Sequence, residues 1–221
     1  LISKCGVAPV SQRFPARRVL HLDLSAAHIE AAVEQSLRDL ASERIDLFLL
    51  HRPDLLLRAD DVAAALTRLR AAGKVREFGV SNFTPGQFAL LQSRLDFALV
   101  TNQVELSLLH TASLTDGTLD QLRERGLPVM AWSPLAGGKL LDPNQASAAP
   151  LRAVLERLAE QYSVDAAALA IAWVMRLAEA VVPVLGSSDP KRLKILAAAS
   201  GITLERQDWY ELYAAGGNRF A

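Results

Sequence analysis

Short apolar runs, each ended by a polar residue, are the feature that most limits the fold of this chain. Five of these runs are separated by longer segments with helical periodicity, and they occupy residues 46–51, 77–82, 99–103, 128–133 and 181–187. Near-continuous apolar segments of this length are typical of parallel strands that are covered on both faces. Strands that alternate with helices predict crossover units and a parallel sheet, so we expect an α/β fold.

The polar residues that end these runs indicate where a functional site would form. In a barrel of strand-helix units, the active site lies at the carboxyl ends of the strands. The residues at those predicted ends are His51, Ser81, Asn82, Gln103, Trp132, Ser133 and Ser187. The pattern therefore predicts that these side chains share one functional edge.

The intervening segments carry the signals of amphipathic helices. Apolar residues recur with the spacing of one buried stripe, and the three clearest sets are Ile29, Ala32, Val33, Leu37 and Leu40; Val62, Ala65, Leu66 and Leu69; and Leu151, Val154, Leu155, Leu158 and Tyr162. Residues 84–87 combine an N-cap, a proline and a capping-box glutamine. Residues 188–190 offer a second cap, residues 142–150 are expected to form an exposed loop, and residues 203–214 predict an extra C-terminal helix.

Composition narrows the class of protein. A chain of 221 residues fits a single domain over 1–221. Lys+Arg and Asp+Glu both number 24, so no basic excess suggests a nucleic-acid partner, and no apolar run has the length of a membrane span. Cys5 is the single cysteine, so we expect a reducing, cytoplasmic setting.

The number of predicted strands falls short of a closed barrel. Leu1–Cys5 resembles the end of a further strand, which brings the total to six. A closed barrel of this type has eight strands, and an open sheet would expose two long edges. We therefore expect two strand-helix units upstream of Leu1, so that the chain is an N-terminally incomplete barrel.

Six motifs in a fixed order carry a family resemblance. They occupy residues 2–6, 49–54, 73–83, 102–105, 131–138 and 185–192. Together they closely resemble the aldo-keto reductase superfamily, in particular its bacterial oxidoreductases. The resemblance implies a (β/α)8 TIM barrel, of which this chain supplies about the last six strand-helix units and a C-terminal extra helix. It also implies reduction of a small-molecule carbonyl with NADPH.

The resemblance assigns two catalytic residues. The family uses a tyrosine acid, a lysine that favours ionisation of that tyrosine, an aspartate paired with the lysine, and a histidine. Lys4 matches the lysine and His51 matches the histidine, whereas the tyrosine and aspartate belong to a unit that this chain does not contain. The segment by itself is therefore expected to be inactive.

The resemblance also assigns the cofactor contacts. Ser81, Asn82 and Gln103 match the groups that hold the nicotinamide carboxamide, and Trp132 matches an aromatic ring that stacks on the nicotinamide. The residues expected along the pyrophosphate are Ser133, Leu135, Gly137 and Gly138. Those expected around the adenosine 2′-phosphate are Gly186, Ser187, Ser188 and Arg192. Many relatives have a basic residue where Gly186 stands, so NAD(H) stays open as a less favoured cofactor than NADP(H).

The interpretation that follows is an NADPH-dependent oxidoreductase that reduces an aldehyde or ketone to an alcohol by hydride transfer. One alternative is a catalytically weak or regulatory subunit of the same fold that binds nucleotide, similar to the potassium-channel β subunits. A second alternative is an unrelated barrel enzyme that uses His51 with a metal, although no cluster of His, Asp and Glu has ligand spacing. The sequence leaves the substrate and the oligomeric state open.

Overall fold

The computed structural model describes residues 1–12, 14–177 and 180–218, and it divides into two compact units. Unit 1 is Leu1–Gln103 and unit 2 is Val104–Ala221. The boundary between them falls inside a strand, Leu99–Glu105. The expectation of a single domain over residues 1–221 stays a prediction.

Unit 1 is built on parallel strands. They are β1 (Ile2–Cys5), β4 (Ile45–Leu50), β5 (Val75–Ser81) and β6 (Leu99–Glu105), where β1 pairs with β4, β4 with β5 and β5 with β6. A short antiparallel pair, β2 (Val7–Ala8) and β3 (His21–Leu22), follows β1. Phe48, Leu49 and Leu50 are fully buried, which confirms that this apolar run is a strand covered on both faces.

Within its described residues, unit 1 also contains the helices α1 (Ala26–Asp39), α2 (Ala59–Ala71) and α3 (Pro85–Gln92). All four residues of the stripe predicted in α2 are buried. In the stripe predicted for α1, Ile29 and Val33 are buried, but Leu40 is 40% exposed because it lies at the C-cap, beyond the last helical turn. The capping box at the start of α3 is present as predicted, with Thr84 and Gln87 bonded to each other's backbone N–H.

Unit 2 contains one further parallel strand pair, β7 (Val129–Trp132) and β8 (Val181–Val184). Its helices are α4 (Thr118–Glu124), α5 (Ala149–Tyr162), α6 (Ala166–Met175), α7 (Pro190–Ala197) and α8 (Arg206–Ala215). Helix α8 confirms the predicted C-terminal helix. Among the described residues, no helix is both long enough and apolar enough to cross a bilayer.

Strand β8 is shorter than the predicted run 181–187. Its partner β7 ends at Trp132, which pairs with Val184, and the next residue, Ser133, has a φ of 56° that turns the chain away. Beyond Val184 the chain leaves the sheet and forms the N-terminal cap of α7. The Ser187 hydroxyl accepts the N–H of Asp189, and Asp189 is the N-cap residue of α7. The predicted loop 142–150 differs as well, because its last part forms a 3₁₀ turn, Ala146–Ala148, and the start of α5.

Candidate active site

The parallel strands of unit 1 bring five predicted site residues to one edge. Lys4 lies near the end of β1, His51 follows β4, Ser81 ends β5 with Asn82 next to it, and Gln103 lies near the end of β6. The register pairs Ser81 with Gln103. Residues paired in register project to the same face of a parallel sheet, so these side chains share a face.

Gln103 is the centre of a hydrogen-bonded group at this edge. Its side-chain Oε1 accepts a hydrogen bond from Lys4 Nζ at 2.9 Å. Its backbone carbonyl accepts the Ser81 hydroxyl at 2.8 Å and the backbone N–H of Asn82 at 2.9 Å. Gln103 therefore connects the ends of β1, β5 and β6.

Asn82 connects the same group to His51. It has a φ of 60°, in the left-handed region that asparagine tolerates better than most residues. Its Nδ2 donates to Ser81 Oγ at 2.8 Å and to the backbone carbonyl of His51 at 3.2 Å. The His51 N–H donates in turn to the Cys5 carbonyl at 2.8 Å. The backbone at His51 is thereby held from both sides.

Burial and charge set the protonation states in this group. Burial lowers the pKa of Lys4 below its usual value of 10.5. The pKa of His51 is also lowered from 6.5, first by burial and then by the charges of Lys4 and Arg52. A neutral imidazole has one N–H donor and one acceptor nitrogen. At neutral pH, His51 can therefore donate a hydrogen bond to a carbonyl oxygen without carrying charge itself.

Unit 2 contains a cavity of about 500 Å³ where β7, β8 and the first turns of α7 meet. Most of the residues predicted to hold the pyrophosphate and the 2′-phosphate line it, as does Trp132. The predicted residues in its lining are Trp132, Ser133, Leu135, Gly137, Gly138, Gly186, Ser187 and Arg192. Ser188 is exposed and lies outside the lining.

The backbone on one side of this cavity follows a tight path. Gly137 and Gly138 have φ values of 65° and 92°, which glycine adopts without strain. A Cβ at either position would meet no atom within 4 Å, so the surface in front of them is open. The N–H of Gly138 already donates to the Leu135 carbonyl at 2.9 Å, so this turn stabilises itself. Small residues of this type leave room for a phosphate to approach the backbone.

The start of α7 forms the opposite side. Asp189 caps the helix by accepting the N–H of Lys191 at 2.9 Å, so part of the positive helix terminus already faces a carboxylate. Arg192 lies in the cavity lining with an exposed side chain. The forked donors of its guanidinium suit a phosphate. The residues present thus fit the phosphates of a dinucleotide, with Arg192 as the cation.

Two polar residues beside the site were given no functional role from the sequence. Asp54 accepts the N–H of Leu24 and the N–H of Leu56, both at 2.9 Å, and so ties together the loops before α1 and after His51. Asn102 is fully buried and donates to the Phe83 carbonyl at 2.8 Å. Their place in the motifs 49–54 and 102–105 was a signal, but Leu24 lies 30 residues from Asp54 and Phe83 lies 19 residues from Asn102, so these contacts could not be predicted locally. No group of three or more His, Cys, Asp or Glu within the described ranges could hold a metal ion.

Comparison with known proteins identifies the family. The Aldo/keto reductase family model matches residues 3–216. A 6-dehydroglucose reductase of Agrobacterium fabrum is 45% identical over 96% of this chain and 71% of its own length. Oxidoreductase YdhF of Escherichia coli is 44% identical over 97% of this chain and 71% of its own length.

The fold is shared with solved structures. The thermostable aldo-keto reductase Tm1743, solved with the inhibitor epalrestat, matches with a TM-score of 0.76 and 22% identity. The match covers 87% of this chain and 67% of that one. This likeness confirms the expected α/β barrel fold, and the family model and the two bacterial relatives confirm the family resemblance. Members act on small-molecule carbonyl substrates and generally use nicotinamide cofactors. The chain belongs to the aldo/keto reductase family.

Proposed function

We propose that this chain binds NADPH and provides Lys4 and His51 for the reduction of an aldehyde or ketone to an alcohol by hydride transfer. The observation that carries the proposal is the hydrogen-bonded group of Lys4, Ser81, Asn82 and Gln103 beside His51, at the strand ends of unit 1. The name of the Agrobacterium relative, 6-dehydroglucose reductase, supports a carbonyl-reducing role.

The amides and the hydroxyl of this group suit the carboxamide of a nicotinamide ring. A carboxamide has two N–H donors and one carbonyl acceptor, and side-chain amides have the same set. Asn82 Nδ2 is already bonded to Ser81 and His51, and Gln103 Oε1 to Lys4, so Asn82 Oδ1 and Gln103 Nε2 would be the atoms that contact the carboxamide. The bound cofactor would supply the hydride.

His51 would act on the substrate oxygen, and Lys4 would favour ionisation of the tyrosine acid that the family resemblance implies. Negative charge develops on that oxygen when hydride reaches the carbonyl carbon, and an oriented donor stabilises it. His51 has a lowered pKa and is neutral at pH 7, so its N–H can serve as that donor. The charge of Lys4 acts on the same region, since it is one of the causes of the lowered His51 pKa.

Within unit 2, the residues that line the cavity would provide their own contacts to a nicotinamide dinucleotide. Trp132 would stack on the nicotinamide, and Ser133, Leu135, Gly137 and Gly138 would lie along the pyrophosphate. The residues proposed around the 2′-phosphate are Gly186, Ser187, Ser188 and Arg192. Because NADH lacks this phosphate, Arg192 would favour NADPH.

Cofactor titrations of the purified chain test this proposal. Arg192→Ala should weaken NADPH binding by roughly tenfold to a hundredfold, the effect of losing a hydrogen bond to a charged group. NADH affinity should change little. Lys194→Ala is a matched control, because it removes a cation from the same helix at a position outside the cavity lining.

The outcomes separate the two parts of the proposal. An equal loss for NADPH and NADH would remove Arg192 from the 2′-phosphate site. No measurable binding of either nucleotide to the unmodified chain would refute the nicotinamide cofactor itself.

A further inference from the structure

Asn102 is a buried polar residue to which the proposed function gives no role. It pairs in register with Val80 of β5, while the next pair is Ser81 with Gln103. Alternation along the strands therefore places Asn102 and Val80 on the face opposite to the cofactor-binding side chains. Both Asn102 and Val80 are 0% exposed.

The Asn102 side chain fixes the turn that contains Asn82. Its Nδ2 donates to the Phe83 carbonyl at 2.8 Å. On the other side of Asn82, the Asn82 N–H donates to the Gln103 carbonyl at 2.9 Å. Asn82, with its φ of 60°, thus lies between two hydrogen bonds, and both are made with residues near the end of β6.

The oxygen of the Asn102 side-chain amide indicates why an asparagine, rather than an apolar residue, is useful at this position. Its Oδ1 is buried and has no hydrogen-bond partner among the described residues. A buried acceptor without a partner is unfavourable, and an apolar side chain of similar size would avoid this penalty. The hydrogen bond to Phe83 is what the asparagine provides and an apolar residue cannot.

We propose that Asn102 is a positioning residue for cofactor binding. By holding the Phe83 carbonyl, it keeps Asn82 in the left-handed conformation in which the Asn82 amide meets Ser81 and His51. This inference rests on the proposed function, because Asn82 is assigned there to the nicotinamide carboxamide. Asn102 acts through Asn82 and does not touch the cofactor.

Asn102→Leu tests the proposal in the 221-residue chain. Leucine has the same number and branching of side-chain heavy atoms as asparagine, but it removes the donor and leaves the Phe83 carbonyl without this hydrogen bond, so stability in urea should fall. The Kd for NADP⁺ should also rise about tenfold, the size of one lost hydrogen bond. Val80→Ala is the matched control, since it alters the same buried face without touching this hydrogen bond. It should lower stability and leave the Kd unchanged.

A double-mutant cycle shows whether Asn102 acts through Asn82. Asn82→Ala alone should weaken NADP⁺ binding, and adding Asn102→Leu should then have little further effect. Hydrogen exchange gives a readout that needs no cofactor. The Asn82 N–H should exchange faster in Asn102→Leu than in the unmodified chain. In Val80→Ala, its exchange should speed up only as far as the loss of global stability explains.

The results distinguish this inference from the proposed function. If Asn82→Ala weakens NADP⁺ binding while Asn102→Leu changes neither the Kd nor the Asn82 exchange, the inference is wrong and the proposed function stands. If Asn82 exchange responds to Asn102→Leu but Asn82→Ala leaves the Kd unchanged, the turn is positioned as inferred and the carboxamide assignment fails. Additive losses in the double mutant would show that Asn102 acts by another route.

Discussion

At the scale of single residues, the protonation of His51 depends on the charge of its neighbour Lys4. Burial lowers the pKa of His51 most, and the Lys4 charge lowers it further. Lys4→Met should therefore move the His51 pKa upward, toward 6.5, as measured by NMR titration of the imidazole. Lys74→Met is the control, since it removes a lysine that pairs with Glu34 instead. An unchanged His51 titration in Lys4→Met would contradict the coupling.

The same shift links His51 to stability. A histidine with a lowered pKa in the folded state binds its proton more readily when the chain is unfolded. Its contribution to the free energy of unfolding is therefore present above pH 6.5, the ordinary value, and is lost as the pH falls below it. His51→Gln should flatten this part of the pH profile in urea unfolding, and an equally steep profile would assign it to other groups.

Trp132 offers an optical test of its proposed stacking. The other two tryptophans, Trp173 and Trp209, stack on each other with ring centroids 4.8 Å apart, and each indole N–H donates to the other's backbone carbonyl at 3.0 Å. They lie outside the cavity lining, whereas Trp132 is part of it. NADPH should quench tryptophan fluorescence in the unmodified chain and much less in Trp132→Phe. Quenching that survives the substitution unchanged would place the ring away from the cofactor.

At the scale of elements, the cap of α3 supports the turn that holds Asn82. Thr84 Oγ1 accepts the Gln87 N–H at 3.3 Å, and Gln87 Oε1 accepts the Thr84 N–H at 2.9 Å. Thr84→Ala should lower the free energy of unfolding by about 1 kcal/mol, because the first helical turn loses its side-chain acceptor. Thr84→Ser keeps the hydroxyl, so its free energy of unfolding should differ from that of the unmodified chain by only a few tenths of a kcal/mol. Equal losses in both variants would show that the methyl group, not the cap, is what matters.

At the scale of the whole molecule, we expect the 221-residue chain to lack carbonyl reduction. The family resemblance implies a tyrosine acid beside the lysine, but residues 1–103, which carry Lys4 and His51, contain no tyrosine. Tyr162 is engaged elsewhere, since its hydroxyl donates to Asp208 at 2.6 Å within unit 2. Consumption of NADPH with a generic aldehyde should remain at the background rate. Robust turnover would show that another group supplies the proton.

Much of the fold could be predicted because its signals are local. The apolar runs before His51 and Asn82 marked strands, and the spacing of the α2 stripe marked a helix whose four predicted residues are all buried. The Thr84 capping box follows from four adjacent residues. The end of β8 was predicted three residues too late, because strand length depends on the partner and β7 stops at Trp132.

The sequence by itself determined which residue types stand at the strand ends, since short apolar runs and the rule for parallel α/β units place them there. Only the tertiary structure decided how they connect. Lys4 meets Gln103 across 99 positions of sequence, and Asn102 meets Phe83 from the next strand. These contacts depend on the register between strands, which has no signal in the local pattern of residues, and on a left-handed turn at Asn82, which asparagine allows but does not require. A hydrogen bond needs two atoms placed within about 3 Å, and that placement comes from the packing of the strands.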